Sequence, residues 1–182
     1  MSALPDNSPA NHQPCRLSIY YSTHEAVMQR YRDAGFVGDD SLRFVDTYSA
    51  LLLQGEIACR GLIVITVTKL INYVTDDPDP LVQTEMYSYN VSVRGQGLLF
   101  RYDNQHPDQL YSGHQDPHHR HAFDFATNQE LPGSPEWIGA ARWPTLGDVI
   151  GESWDWHSNH YQLLNHPEDF VPRDQLGDGL SR

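Results

Sequence analysis

Lysine is almost missing from this chain of 182 residues. Of its 12 basic side chains only Lys69 is a lysine, against 24 acidic residues and a formal net charge of -12. Neutralising a phosphate backbone takes clustered positive charge, so a non-specific nucleic-acid coat is excluded, although a locally built nucleic-acid site is not. Cysteine is equally scarce. Cys15 and Cys59 stand far apart with no CxxC spacing, which excludes a disulfide framework and a thiolate zinc site and fits a reduced compartment. A long apolar run is absent too: residues 61–67 extend to Val74 only across Thr66, Thr68, Lys69 and Asn72, too short and polar a stretch to span a bilayer. The opening MSALPDNSPANHQP has neither a positive segment nor an apolar one, so it is not a secretory signal. The expectation is a cytoplasmic protein with no membrane partner.

Apolar material is not lacking. Hydrophobic residues make up 39% and aromatics 11%, which supports a core in one domain of this length. The chain divides into a flexible N-terminal tail (1–18), a single domain (19–160) and a loosely ordered acidic C-terminal tail (161–182). Ser22 with Glu25 resembles a capping box, and Val27, Tyr31 and Ala34 follow at helical spacing, predicting a helix over about 23–34. Residues 42–53 and 62–74 read as long strands, with Gln54-Gly55-Glu56 as the turn between them. The acidic TDDPDP (75–80) is a loop, 85–93 alternates as a half-buried strand, and Gly95-Gln96-Gly97 turns the chain into a strand over 98–102. Residues 122–125 give one more short strand and 131–135 a linker. Thr145, with Asp148 three on, caps a final helix whose Leu146, Val149, Ile150 and Trp154 share a face. The fold class is therefore α+β: a mostly antiparallel sheet of four to five strands flanked by an N-terminal and a C-terminal helix.

Five of the ten histidines (His106, His114, His118, His119 and His121) fall between residues 106 and 121, where even spreading would place about one. The stretch RYDNQHPDQLYSGHQDPHHRHAF starts where a strand ends, a usual place for functional loops. Imidazoles titrate near neutrality, so such a cluster supplies a general base, a general acid and a cation for phosphate without lysine. Asp103 would orient a histidine, while Arg101 and Arg120 would contact phosphate. His118, His119 and His121 with Asp103 or His114 are also donors enough for a divalent metal, though the spacing matches no zinc motif. In a strand, neighbouring side chains alternate, so His119 and His121 share a face and His118 takes the other. The bland alternative is an exposed or core-packed histidine loop. His157, His160 and His166 fall beyond the apolar face of the final helix, and the four tryptophans nearby are core or a partner surface.

Together, Tyr102-Asp103-Asn104 at a strand end, His106 after it, the His118-His119-Arg120-His121 motif behind Pro117, and the Pro-Thr-Leu helix start over 144–150 resemble the TumE family of small toxins from toxin–antitoxin pairs. The resemblance covers about residues 40–155. It implies a toxin acting on RNA and neutralised by a cognate antitoxin protein. On that reading the function is a metal-independent endoribonuclease with catalytic His118, His119, His121, His106 and Asp103, and substrate contacts from Arg101, Tyr102, Asn104 and Arg120. No cofactor is expected; the alternative places a divalent metal at the histidines, for a phosphodiesterase or nucleotide-modifying enzyme. A third alternative is a non-catalytic interaction module, and a homodimer is compatible with all three. Over residues 101–121 two arginines face three aspartates, so partial protonation of the five histidines makes this window positive within an acidic chain.

Overall fold

The computed structural model describes residues 13–104, 118–139 and 142–178. His106, His114 and Pro117 lie outside the described residues. The architecture is α+β, but among the described residues the antiparallel sheet has nine strands rather than four or five. In chain order these are β1 (Cys15–Arg16), β2 (Val37–Asp40), β3 (Arg43–Asp46), β4 (Ala50–Cys59), β5 (Ile63–Tyr73), β6 (Leu81–Val93), β7 (Gly97–Asp103), β8 (His119–Ala122) and β9 (Glu136–Trp137). They run β2-β4-β5-β6-β7-β8-β9 across the sheet, with β3 also on β4 and β1 on β6. Helices α1 (Leu17–Asp33) and α2 (Leu146–His160) share one face. Tyr20, Val27, Met28 and Tyr31 of α1 and Leu146, Val149 and Ile150 of α2 pack on Leu53, Ile65, Tyr89 and Phe100 of the strands, and the Tyr31 hydroxyl donates to the Gly147 carbonyl (2.9 Å).

The two helix starts show what local sequence reports. Thr145 does cap α2: its Oγ1 accepts from Asp148 N (3.2 Å) while Asp148 Oδ2 accepts from Thr145 N (2.7 Å). In contrast α1 begins six residues before the expected start, and Ser22 Oγ bonds back to the Ile19 carbonyl (3.0 Å) instead of capping. Its first turn is held from 61 residues away by Asp79, which accepts from Ser18 N (2.9 Å) and Ser18 Oγ (2.7 Å). The TDDPDP loop is thus an N-terminal carboxylate for α1, with Asp77 on Arg16.

The segment read as one strand over 42–53 is two, β3 and the start of β4, broken where Thr47 Oγ1 donates to the Ala50 carbonyl (2.6 Å). The expected Gln54-Gly55-Glu56 turn lies inside β4. Gly55 holds φ +141°, and a Cβ there would meet the Ser41 carbonyl oxygen at 2.6 Å, so the glycine serves a close approach of backbones and not a reversal. Gly55→Ala is expected to cost about 3 kcal/mol. For a chain of this size that lowers Tm by about 6–12 °C; a melt unchanged from wild type would contradict this account of β4.

The short strand expected over 122–125 begins earlier, at His119. Beyond α2, the segment taken as a loosely ordered tail buries Leu164, and Val171 packs on Ala58 and Val64 of the sheet face away from the helices. His157, expected outside the apolar face of α2, is buried within it and bonds to the Pro167 carbonyl (2.8 Å). No helix is long and apolar enough to cross a membrane among the described residues.

Candidate functional site

Strands β7 and β8 pair in the register Phe100–Ala122, Arg101–His121, Tyr102–Arg120 and Asp103–His119. Directly opposed residues in an antiparallel pair share a face, so this register sorts the motif into two sets. Arg101, Asp103, His119 and His121 stand on the face away from the helices, whereas Tyr102 and Arg120 stand on the helix face.

On the first face, His119 Nε2 lies 2.9 Å from Asp103 Oδ1 and Arg101 Nε lies 2.7 Å from Asp103 Oδ2. Both Asp103 and His119 are buried, at 6% and 3% exposure. Burial alone would raise the Asp103 carboxyl, but the hydrogen bond and charge of His119, with Arg101 beside it, hold it below the usual carboxylate range. His121 is bonded on both ring nitrogens: Nε2 to Arg101 Nη2 (3.0 Å) and Nδ1 to Glu130. A guanidinium can only donate, so Nε2 of His121 is the acceptor and Nδ1 carries the proton toward Glu130. That hydrogen bond in turn draws the Glu130 carboxyl below its ordinary range. Ser134 Oγ donates to the same Glu130 oxygen (3.2 Å) and accepts from Ala122 N (3.1 Å), anchoring the carboxylate to β8. The two imidazoles sit 4.8 Å apart, nearly perpendicular, and Trp137 of β9 lies 5.5 Å from His119 at 40% exposure.

The remaining expected residues do other things. Tyr102 donates to Glu152 of α2 (2.8 Å), and Arg120 Nε bonds the other Glu152 oxygen (3.0 Å) while its guanidinium lies 5.3 Å from the Phe100 ring centre. This pins β7 and β8 to α2, and burial with the Glu152 charge pushes the Tyr102 hydroxyl up. His118 is buried on the helix side of the strand pair, 3.1 Å from the Tyr87 hydroxyl and 4.1 Å from the Trp143 ring. Asn104 closes the end of the β6–β7 hairpin, accepting from Tyr87 N (2.7 Å) and donating to the Glu85 carbonyl (2.9 Å). The structure therefore joins Arg101, Asp103, His119 and His121, and gives His118, Tyr102, Asn104 and Arg120 partners elsewhere. Glu130, Ser134, Glu152 and Trp137 complete these contacts without any local signal in the sequence.

Asp103, His119 and His121 also offer donor atoms within 4.8 Å of one another, a group that could hold a metal ion. No family model, curated protein or solved structure matches this chain.

Proposed function

We propose that the group on β7 and β8 is a metal-independent site for cleaving RNA phosphodiesters by histidine acid–base chemistry, in a toxin held in check by a cognate antitoxin protein. The observation that carries the choice against a metal is Arg101. Its Nη2 uses the His121 lone pair that would bind an ion, and its Nε is paired with the second Asp103 oxygen. A cation already occupies the middle of the donor trio, and a divalent ion there would face its charge. The same guanidinium is well placed to meet a phosphate.

In the proposed reaction, Arg101 Nη2 turns from His121 Nε2 to the phosphoryl oxygens of the bound strand, and the lone pair so released takes the proton of a ribose 2′-hydroxyl as its oxygen forms a bond to phosphorus. His119, stabilised in its protonated form by Asp103, gives a proton to the 5′-oxygen as the P–O5′ bond breaks. The products are a 2′,3′-cyclic phosphate and a 5′-hydroxyl. Arg101 meets the charge gathering on the phosphoryl oxygens.

Chelation tests the choice. Cleavage is expected to persist in EDTA, and purified wild-type protein to carry no stoichiometric metal. Arg101→Ala is expected to lose about a hundredfold in cleavage and to gain zinc binding, read by titration calorimetry, because it releases the His121 and Asp103 donors. Loss of wild-type activity in EDTA, restored by added metal, would transfer the site to the metal-dependent reading.

A further inference from the structure

The sheet carries the site's surroundings in two straight rows. One row is Gln54–Thr68–Ser88–Asp103–His119, each residue directly opposite the next across β4, β5, β6, β7 and β8. The next is Glu56–Thr66–Asn90–Arg101–His121 across β4 to β8. Opposed residues share a face, so Gln54, Thr66, Thr68, Ser88 and Asn90 lie on the histidine side of the sheet. This band is bounded. On one flank the adjoining row is Leu52–Leu70–Met86, and on the other is Ala58–Val64, covered by Val171. The polar band is two rows wide and leads to the site; Thr66, Thr68, Ser88 and Asn90 between its ends are uncharged, while at the β4 end Arg43 stands opposite Gln54 and Glu56, paired with Arg94 (2.9 Å), stands opposite Thr66. Thr66, Thr68, Ser88 and Asn90 are partly exposed, and at its far end Gln54 is 4% exposed with an Oε1 that has no hydrogen-bond partner. An acceptor left in that state costs free energy, and on the histidine side of the sheet it marks a position able to receive a donor.

We infer that this band is the track for a single RNA strand whose cleaved bond lies at His119 and His121, with Thr68, Ser88, Asn90 and Gln54 reading the nucleotides to one side. The inference rests on the ribonuclease reading of the site. Four strand intervals of about 4.8 Å make the row about 19 Å long, more than a mononucleotide needs. Hydroxyl and amide groups offer both donors and acceptors, which suits base edges and 2′-hydroxyls and explains how a chain of net charge -12 could hold RNA through one cation. Salt dependence should be correspondingly shallow: with Arg101 as the sole phosphate contact, log KM against log salt should have a slope near about 0.7.

The test compares a single-stranded octaribonucleotide with a dinucleoside monophosphate. Wild type is expected to favour the octamer at least about tenfold in kcat/KM. Thr68→Val with Asn90→Leu, and separately Gln54→Leu, are expected to raise KM for the octamer about tenfold while leaving kcat and dinucleotide cleavage within about twofold. Equal losses on both substrates, or no preference for length in the wild type, would overturn the track. A second measurement separates this from failure of the catalytic reading: octamer binding to His121→Ala protein, followed by fluorescence anisotropy, with the Thr68→Val and Asn90→Leu changes added. Binding that weakens with those changes, in a chain that never cleaves, overturns the ribonuclease and keeps the track. An octamer neither bound nor cut overturns both.

Discussion

Replacing His119 and His121 together by alanine is expected to lower RNA cleavage at least a thousandfold and to abolish growth arrest on expression without the antitoxin. In the proposed reaction each imidazole makes a proton transfer worth about 10²–10⁴ in rate and the two act on one bond, so the double variant should be little worse than the more damaging single. The fold should survive. Both side chains lie on the sheet face away from the helices, outside the main apolar core, and the strand pair keeps the Tyr102–Arg120 register with Glu152 across the helix face. A thermal melt distinguishes a dead site from an unfolded chain. Single variants should rank by role: Asp103→Asn keeps the shape but gives up the charge that favours protonated His119, and is expected to lose about a thousandfold or more. Toxicity unchanged in the folded double variant would remove the histidines from the mechanism.

The other large effect concerns stability. Lys69, the only lysine, is 3% exposed in the middle of β5, its Nζ 2.6 Å from the Tyr20 hydroxyl of α1. Burial pulls its ammonium down to about 7 from an ordinary value of 10.5. The unfolded chain therefore holds this proton up to high pH while the folded one releases it near neutrality. Between those values the unfolded state binds more protons, so stability rises with pH, at up to about 1.4 kcal/mol per unit. The clean window is pH 7 to 8.5. Below it His24, whose half-buried ring is lowered to about 4 by desolvation, prefers the neutral form, so stability is lost as pH falls below about 6.5. Above it, buried Cys59, raised by its burial, begins to ionise only in the unfolded chain. Lys69→Met removes the charge and keeps the volume, and is expected to stabilise the protein at pH 7 by as much as about 4 kcal/mol and to flatten the profile across that window. Urea melts from pH 7 to 8.5 check it; parallel slopes in variant and wild type would contradict the assignment.

Local chemistry carried part of this structure and contacts at long range carried the rest. Side-chain alternation in a strand is enough to pair His119 with His121 and to send His118 to the other face, because the period of two depends only on the backbone. Thr145 and Asp148 are likewise their own cap. By comparison, the start of α1 depends on Asp79, the orientation of His121 on Glu130 and Arg101, and the seating of Arg120 on Glu152. None of these partners is marked by spacing, since each is brought by a different strand, loop or helix. Gly55 misleads for a related reason: a glycine that admits a neighbouring backbone looks, in sequence, like one that turns the chain. The three tryptophans Trp143, Trp154 and Trp156 pack against the core, which leaves Trp137 as the exposed one beside His119.

The most direct test of the central claim is the chemistry of the cut ends. Purified protein is incubated with a single-stranded oligoribonucleotide in EDTA, and the products are resolved by mass spectrometry. Acid–base catalysis by His121 and His119 through the 2′-hydroxyl predicts 2′,3′-cyclic phosphate and 5′-hydroxyl ends, absent in the double histidine variant. Ends bearing a 5′-phosphate, formed only when a divalent metal is restored, would contradict it.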